Sequence, residues 1–353
     1  MTEEAPKPPR GRGASWNPQN RFESIEYVID EDVPPDEQPD RNTEFFRDPA
    51  RTIIAYNDSP DVGFEASVNP YRGCEHGCIY CFARPTHEYL GFSAGLDFES
   101  RIMVKEDAPE MLRQELLSPK WNPQAIAISG VTDAFQPIER KLEVTRRCLA
   151  VLAEFRNPVV IITKNHLVTR DIDHLSELAR HDAALVYVSI TTLDPALARS
   201  MEPRASTPEM RFEAVRQIAA AGIPVGVMVA PVVPAITDHE MPRILAAAAE
   251  AGAHSAGYTV LRLPWAVSPL FQQWLEEHFP DRKEKVLSRI RDLRDGKLYD
   301  STWGVRGRGT GLFADQIGQI FEIAARKAGL NKRSFELSTA AFRRPTAQQS
   351  LFG

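Results

Sequence analysis

The sequence predicts an α/β protein, specifically a partial (β/α)6 barrel of the TIM type with a helical C-terminal extension. Three observations predict this fold. From residue 65 onward, short β-rich runs alternate with longer amphipathic stretches. The short runs are almost continuously apolar, which is typical of parallel strands covered by helices on both faces. No G-x-G-x-x-G motif follows a strand, and this argues against the main alternative fold, an open doubly wound sheet that binds a dinucleotide.

The elements follow in order along the chain. The predicted strands are residues 66–71, 124–129, 159–163, 184–190, 224–230 and 257–262. Helix-like segments lie between them, near residues 106–118, 139–156, 169–181, 208–222 and 238–252. In such a barrel, functional groups gather at the carboxyl ends of the strands. We therefore expect the polar residues that end the strands to converge.

The ends of the chain differ from its middle. Residues 1–45 are predicted to be mostly disordered or extended, because the first 40 residues hold seven prolines and ten acids. Residues 46–265 form the predicted barrel, residues 266–335 the helical extension and residues 336–353 a tail. "RGRG" at residues 10–13 is interpreted as a basic patch on a solvated tail. The loop "GVRGRGTG" before the last helix is a flexible turn or, alternatively, a phosphate site at a helix N-terminus.

Composition limits the class of protein. The chain has 353 residues, 43% of them hydrophobic and 25% charged, and a formal net charge of −6. This charge argues against bulk coating of nucleic acid and leaves room for a local basic groove. The sequence has neither an apolar run of about 20 residues nor an apolar N-terminal signal. Three clustered cysteines of four do not make a disulfide framework, so we expect a reducing, cytoplasmic location without a membrane partner.

The cysteine cluster carries the functional signal. Cys74, Cys78 and Cys81 lie within "CEHGCIYC", a C-x3-C-x2-C spacing. A structural zinc site would need His76 or His87 as its fourth ligand, at a spacing uncommon for zinc. Three unliganded core cysteines would not suit the polar neighbours. The third alternative is a four-iron cluster that has three cysteine ligands and one open iron.

The spacing resembles the hallmark of the radical S-adenosylmethionine (SAM) superfamily, in which an aromatic residue, here Tyr80, precedes the third cysteine. Residues 69–102 are similar to the group around spore photoproduct lyase, which carries "NPY-G-C-H-C-YC-AR" and, shortly after, "DFE". The resemblance covers roughly residues 50–265. It implies a radical SAM barrel and an enzyme that uses a [4Fe-4S] cluster and SAM.

The resemblance also implies the chemistry. Cys74, Cys78 and Cys81 would ligate the cluster, and SAM would chelate the open iron. An electron from a flavodoxin- or ferredoxin-type donor would cleave SAM to a 5′-deoxyadenosyl radical, which removes hydrogen from substrate. The SAM-binding positions that it implies are Tyr80 near the adenine, Ser129, Gly130, Thr132 and Asp133 toward the amino group, Lys164 and Ser189 at the ribose or carboxylate, and the Ala230 backbone at the adenine edge.

Three further charged residues lie near the predicted carboxyl ends of the strands. Glu139 is expected to begin a helix, where an acid suits the helix dipole. Glu202 and Arg204 follow the fourth strand, and we expect them to pair with each other or with SAM.

One position departs from the lyase group. That group has a cysteine at the end of the second strand that returns a hydrogen atom to the product radical. Val131 occupies this place, and Cys148 lies in an apolar helical stretch that favours a core position. The resemblance therefore implies fold and cofactors without fixing the substrate.

Three hypotheses for function remain open. The first is a radical SAM enzyme acting on a nucleic-acid base or DNA lesion. The second is modification of a peptide or small metabolite, and the third a non-enzymatic iron–sulfur regulatory protein. The tail adds a hint towards DNA. Gln348, Leu351 and Phe352 of "QQSLF" match the short motif that docks on the bacterial sliding clamp.

Overall fold

The computed structural model of the chain describes residues 10–23, 42–332 and 334–345. The strands in this part of the chain are β1 (Glu44–Arg47), β2 (Ile54–Tyr56), β3 (Ala66–Val68), β4 (Tyr71–Arg72), β5 (Arg101–Val104), β6 (Ile126–Ile128), β7 (Val159–Thr163), β8 (Ala184–Ser189), β9 (Val225–Val232) and β10 (Ser255–Val260).

The helices alternate with these strands. They are α1 (Leu96–Ser100), α2 (Ala108–Leu117), α3 (Glu139–Leu142), α4 (Val144–Phe155), α5 (Ile172–Ala179), α6 (Pro195–Met201), α7 (Pro208–Ala220), α8 (Met241–Glu250), α9 (Val267–His278), α10 (Lys283–Asp292) and α11 (Gly311–Ala328). Short 3-10 helices span Arg84–Leu90, His166–Asp171, Asp238–Glu240 and Pro280–Arg282.

The main sheet has the strand order β10-β9-β8-β7-β6-β3-β2. All neighbours from β10 to β3 pair in parallel, and β2 pairs antiparallel with β3 at the edge. Within the described residues, no ladder joins β10 to β2. The sheet is therefore an open, partial barrel of six parallel strands, which confirms the predicted fold class. A smaller sheet, β1-β5-β4, lies in the segment that surrounds the cysteine loop.

The apolar runs form strands because both of their faces are covered. The side chains of β8 are buried at five of six positions, and one continuous core joins the strands to α2, α4, α5, α7, α8 and α11. A second core lies under α9 and α10 and includes Cys78, Ile79 and Tyr80 of the cysteine loop. The helical extension therefore packs directly against the loop that holds the candidate metal ligands.

Two predicted elements differ in detail. The segment 139–156 is divided into α3 and α4, because Glu143 has a φ of 51° and interrupts the helix. The six predicted strands are all present, most with ends moved by one to three residues, and the first is divided into β3 and β4. The interruption fixes where α4 begins.

Both ends of the chain pack more closely than their composition suggested. In the described part of the N-terminal segment, Ala14 is fully buried against Ile79 and Tyr80. Near the other end, Phe342 packs on Phe155, and the main-chain N–H of Arg343 donates to the Phe155 carbonyl at 2.9 Å. Composition missed these contacts because a few buried residues suffice to fix an otherwise polar segment.

The predicted clamp motif, residues 348–352, lies outside the described residues. Among the described residues, no helix is both long and apolar enough to cross a bilayer.

Candidate active site

The cysteine loop follows β4 and is held by its own main chain. The Cys74 N–H donates to the Phe98 carbonyl at 2.8 Å, and the Cys81 N–H donates to the Cys78 carbonyl at 3.1 Å. Cys74 and Cys78 are buried, and Cys81 is partly exposed. Burial raises the pKa of the Cys74 thiol, and the charges of Asp133, Cys78 and Cys81 raise it further. Cys81 packs against the small cluster that contains Cys74 and Phe98, so the loop brings the first and third cysteines together.

A buried ion pair supports this loop from one side. The Arg84 guanidinium and the Glu99 carboxylate are both fully buried and form an ion pair. Arg84 also donates from Nε to the Cys78 carbonyl at 2.9 Å and from Nη2 to the Gly77 carbonyl at 3.2 Å. These two residues are the "AR" and "DFE" positions of the family resemblance. Their role in this structure is to fix the main chain at the second cysteine and at the glycine before it.

The N-terminal segment contacts the carboxylate of the same ion pair. The N–H groups of Gly13 and Ala14 each donate to the Glu99 carboxylate at 2.9 Å. A side chain at residue 13 has no room, because its Cβ atom would lie 1.8 Å from the Gly77 carbonyl oxygen. Residues 10–13, predicted to be part of a solvated tail, therefore include a glycine that packs on the cysteine loop. Sequence reasoning missed this role because only the fold brings residue 13 beside residue 77.

On the barrel side of the loop, polar groups from three strand ends meet. Lys164, which follows β7, donates from Nζ to the Ala230 carbonyl of β9 at 2.9 Å, and its Nζ lies 3.8 Å from Oε1 of Glu202. The Tyr80 hydroxyl donates to Glu202, and Thr191 donates to the same carboxylate at 2.7 Å. The Lys164 Nζ also lies 5.8 Å from the centroid of the Tyr80 ring. Tyr80, Lys164 and Ala230, predicted separately, are brought together here.

Glu202 remains charged in this buried place. Burial alone would raise its pKa, but the charges of Arg211 and Lys164 and the bonds from Arg211 and Thr191 lower it to about 2. Burial, followed by the Glu202 charge, raises the pKa of Tyr80 well above its ordinary value, so the phenol stays protonated and donates. The prediction that Glu202 pairs with Arg204 is corrected, because Glu202 pairs with Arg211.

Arg204 and Glu139 have other partners. Arg204 pairs with Glu75, the neighbour of the first cysteine, at 2.8 Å. Glu139 begins α3 as predicted, and its carboxylate accepts bonds from the Tyr71 hydroxyl and from the Thr145 N–H, which lies in the first turn of α4. Both carboxylates therefore organise loops at the carboxyl edge of the sheet.

A second buried carboxylate fixes the loop after β6. Asp133 accepts bonds from the Thr163 hydroxyl at 2.7 Å and from the Lys164 N–H at 2.8 Å. His76 lies with its Nδ1 3.4 Å from Asp133 and its Nε2 3.0 Å from the Asn165 amide. Burial would raise the pKa of Asp133, but His76 and the N–H bonds lower it to about 2. His76 is thus directed toward Asp133 and Asn165.

The other predicted residues after β6 form a tight turn facing the cysteines. Ser129 has a φ of 96°, a left-handed conformation uncommon for a residue other than glycine. Its hydroxyl accepts from the Ala134 N–H at 3.2 Å, and the Thr132 hydroxyl donates to the Gly73 carbonyl at 2.6 Å. Backbone strain of this kind is concentrated at functional sites. Gly130 lies between these residues in the same turn.

Val131 and Ser189 complete the surroundings. Val131 packs on the small apolar cluster formed by Cys74, Ala83 and Phe98. Ser189 is buried at the end of β8, and its carbonyl accepts from Arg211 at 3.0 Å. Cys148 is fully buried in the main core on α4, away from this group. The core position predicted for Cys148 is confirmed.

The thiols fit a cluster better than a single ion. Among the described residues, no group of three His, Cys, Asp or Glu side chains is arranged to hold one metal ion. A four-iron cluster binds each thiolate on a different iron, so its ligands stand farther apart than those of zinc. The donor set also fits, since all three cysteines lie on one short loop and pack in its small apolar clusters, Cys74 and Cys81 with Phe98 and Cys78 with Tyr80. The zinc alternative has no such support.

Comparison with known proteins decides the family. The family model described as "Radical SAM superfamily" matches residues 68–248, just over half of the chain. The chain belongs to the radical SAM superfamily. Membership makes it a radical SAM enzyme and implies a [4Fe-4S] cluster and SAM as its cofactors. The hypothesis of a non-enzymatic regulatory protein is set aside.

Two relatives match this chain over about two thirds of its length. The chain is 38% identical to an uncharacterized protein of Mycobacterium bovis over 232 residues, which are 65% of this chain and 67% of the relative. It is 26% identical to an uncharacterized protein of Methanocaldococcus jannaschii over 227 residues, which are 64% of this chain and 81% of that protein. Neither name states an activity.

A solved structure shows the same fold. Spore photoproduct lyase complexed with dinucleoside spore photoproduct superposes with a TM-score of 0.57 at 15% identity, covering 81% of this chain and 80% of that one. At this identity the likeness concerns the fold. The barrel of this radical SAM protein is thus arranged as in the lyase, as the sequence resemblance predicted.

Proposed function

We propose that Cys74, Cys78 and Cys81 hold the [4Fe-4S] cluster and that the enzyme uses it with SAM to remove a hydrogen atom from a nucleic-acid base, such as a damaged base in DNA. An external flavodoxin- or ferredoxin-type protein supplies the electron. The SAM-binding groups are Tyr80, Lys164, Ser189, the Ala230 carbonyl and the turn at residues 129–133.

One observation carries the proposal. Lys164 joins the ends of β7 and β9 through the Ala230 carbonyl and lies beside both Glu202 and the Tyr80 ring. A cation, a main-chain carbonyl and an aromatic ring thus converge at the carboxyl edge of the sheet. Burial raises the pKa of the Cys78 thiol, the charge of Glu202 raises it further, and the charge of Lys164 lowers it. This set suits a ligand that combines a carboxylate, hydroxyls and a purine.

A cluster held by Cys74, Cys78 and Cys81 would supply the one-electron chemistry, namely the reductive cleavage of SAM that leads to removal of a hydrogen atom from the substrate. The residues of the chain bind, orient and shield the reactants. Lys164 offers its charge to the SAM carboxylate or ribose. Asp133 holds the turn at residues 129–133 against β7, and Arg84 with Glu99 keeps the cysteine loop in place.

The nucleic-acid substrate has separate support. The fold is shared with a lyase solved with a dinucleoside photoproduct. Val131 stands beside the cysteines, and the one other cysteine of the chain, Cys148, is buried in the core. We infer that a cysteine of this chain does not return hydrogen to the product radical. The reaction therefore ends differently from the lyase reaction that the resemblance implied.

The test is isotopic. Reconstituted under anaerobic conditions and reduced with dithionite, the enzyme should convert SAM to 5′-deoxyadenosine and, with an oligonucleotide deuterated on its damaged base, transfer deuterium into that product. Deuterium transfer only from a peptide or metabolite would overturn the nucleic-acid substrate. A Cys78→Ala variant is the control, and it should hold less iron and form no 5′-deoxyadenosine.

A sliding-clamp partner stays a prediction. Removal of residues 348–353 should abolish any pull-down of this chain by the bacterial clamp, without changing 5′-deoxyadenosine formation.

A further inference from the structure

Exposed aromatic rings and arginine side chains lie against one another next to the cysteine loop and the segment that follows β10. This aromatic rim consists of Phe22, Phe82, Tyr89 and Trp265 with the guanidinium groups of Arg21 and Arg262. Their rings are between 49% and 71% exposed. Rings of this size are mostly buried when they serve only a core, so such exposure marks a surface that meets a partner.

The rim begins at the cysteine loop itself. Phe82 follows the third cysteine directly, and the Arg262 guanidinium lies 4.7 Å from the centroid of its ring. Arg262 stands just after β10, between Leu261 and Leu263, both of which pack in the core that includes Cys78 and Tyr80. The first ring of the rim is thus beside the third cysteine and the carboxyl end of β10.

The rim continues through contacts of the same kind. The Arg21 guanidinium lies 4.3 Å from the centroid of the Trp265 ring and 5.0 Å from that of Phe22. The Phe22 ring stacks on Tyr89 with centroids 4.8 Å apart. Trp265 itself has a φ of 44°, an outlier for a bulky side chain. The surrounding loop holds this ring outward in a conformation that costs free energy, as functional positions do.

The charges of the rim are not fully balanced. Arg21 forms a 2.6 Å ion pair with the buried Glu88. For Arg262, no carboxylate in the described part of the chain forms an ion pair, and its buried Nε has no hydrogen-bond acceptor. Asp61, which interacts electrostatically with Arg262, is already held by Arg306. The rim therefore combines flat apolar faces with an unpaired cation.

We propose that the aromatic rim binds a nucleic-acid single strand whose unstacked bases lie on Phe82 and Trp265, with Arg262 at a phosphate. This inference rests on the proposed function and names how its substrate is held. Proteins bind single strands through stacking on aromatic rings combined with positive charge. A duplex keeps its bases stacked on one another and offers no free faces to such rings, so a strand should bind better than a duplex.

The test measures binding of a fluorescent 12-nucleotide strand to the anaerobically reconstituted enzyme by anisotropy. Phe82→Ala and Trp265→Ala should each weaken binding roughly tenfold. Arg262→Met should lower the slope of log affinity against log salt by about 0.7, as expected for one phosphate contact. Deoxyribose and ribose strands are compared, and either one must bind more tightly than the duplex of the same sequence.

Controls separate stacking from folding. Tyr56→Ala removes a ring that is 64% exposed on β2, at the end of the sheet opposite the carboxyl edge, and should leave binding unchanged. Trp265→Phe keeps a stacking face and should retain most of the affinity. If Trp265→Ala and Phe82→Ala, with normal iron content and thermal midpoint, bind as the wild type does, the inference is wrong. Equal affinity for the duplex would also overturn it.

The two proposals fail separately. A wild-type enzyme that cleaves SAM but binds no strand overturns the aromatic rim and leaves the radical SAM activity standing. A wild-type enzyme that binds the strand through Trp265 but transfers no deuterium from its bases keeps the rim and removes the proposed reaction.

Discussion

Two buried arginine–glutamate pairs lie on opposite sides of the cysteine loop, and they differ in what surrounds them. The Arg84–Glu99 pair is enclosed by main-chain groups, namely four carbonyls and two N–H donors. In the Arg211–Glu202 pair, the arginine also donates to two main-chain carbonyls. The carboxylate of Glu202, however, is surrounded by side chains, since Tyr80, Thr191 and Lys164 all lie beside it.

The difference indicates which ion pair stabilises the cysteine loop and which one positions side chains toward a ligand. Main-chain partners are fixed by the fold, so Arg84 and Glu99 hold the loop in one conformation. Side-chain partners leave functional groups directed at a ligand, so Glu202 positions a phenol and an ammonium beside the cysteines. A buried pair alone is weak evidence of stability, and its neighbours decide what it does.

The largest effect should come from the structural pair. Arg84→Met leaves the Glu99 charge buried without its partner, and we expect the free energy of unfolding to fall by about 3–5 kcal/mol. Iron content should fall with it, because the loop loses its main-chain contacts. Denaturant unfolding and iron analysis measure both. Arg180→Met, at an exposed pair with Glu177, is the matched control and should change stability by less than about 1 kcal/mol. Normal stability and normal iron content in Arg84→Met would show that the Arg84–Glu99 pair does not stabilise the cysteine loop.

The second largest effect concerns the stability of the protein at low pH. The pKa of Glu202 is lowered from its ordinary 4.5 to about 2 in the folded protein. Its contribution to stability is therefore present above pH 4.5 and is lost as the pH falls toward 2. The loss for this single group is about 3 kcal/mol. Stability measured from pH 5 to 2 should fall less steeply in Glu202→Gln, whereas Glu250→Gln, at an exposed position on α8, should follow the wild type.

A smaller effect tests how the N-terminal segment supports the loop. In Gly13→Ala the added methyl group would collide with the Gly77 carbonyl, so the segment must shift, and we expect a loss of about 1–3 kcal/mol. Bleaching of the cluster absorbance in air should also accelerate. Gly63→Ala is matched to it, because no atom lies within 4 Å of its added carbon, and it should bleach at the wild-type rate. Equal rates for the two variants would show that the segment does not protect the cluster.

We expect the smallest change in stability from a substitution beside the Arg211–Glu202 pair. Lys164→Met leaves Glu202 paired with Arg211, so folding and iron content should be nearly unchanged. The Kd for SAM should rise roughly tenfold, which corresponds to about 1.4 kcal/mol. Isothermal titration with SAM measures it, and Lys120→Met, an exposed lysine beyond α2, should bind as the wild type does. Unchanged affinity in Lys164→Met would remove this side chain from the SAM site.

Prediction from sequence succeeded where a local pattern carries the information. Continuous apolar runs predicted six parallel strands, since only a strand covered on both faces excludes polar residues so completely. The spacing of Cys74, Cys78 and Cys81 predicted a cluster loop, because three close thiols need no long-range contact to be recognised. The core position of Cys148 followed from its apolar helical surroundings.

Prediction failed where a residue's role depends on a distant partner. Glu202 was expected beside Arg204, which is two residues away, but it pairs with Arg211 after the chain turns into α7. Gly13 was assigned to a solvated tail, and it lies against Gly77. Neither contact produces a periodic pattern of residues from which it could be predicted.

The sequence by itself determined the strand series, the cysteine loop and the superfamily, because periodicity and close spacing are properties of neighbouring residues. Only the tertiary structure decided which charges are buried, which of the two pairs lies beside the Tyr80 hydroxyl and Lys164, and that arginines lie over the rings of Phe82 and Trp265. The physical reason is that burial and electrostatic partnership depend on the elements that converge in space. Parallel strands bring together residues that lie tens of positions apart along the chain.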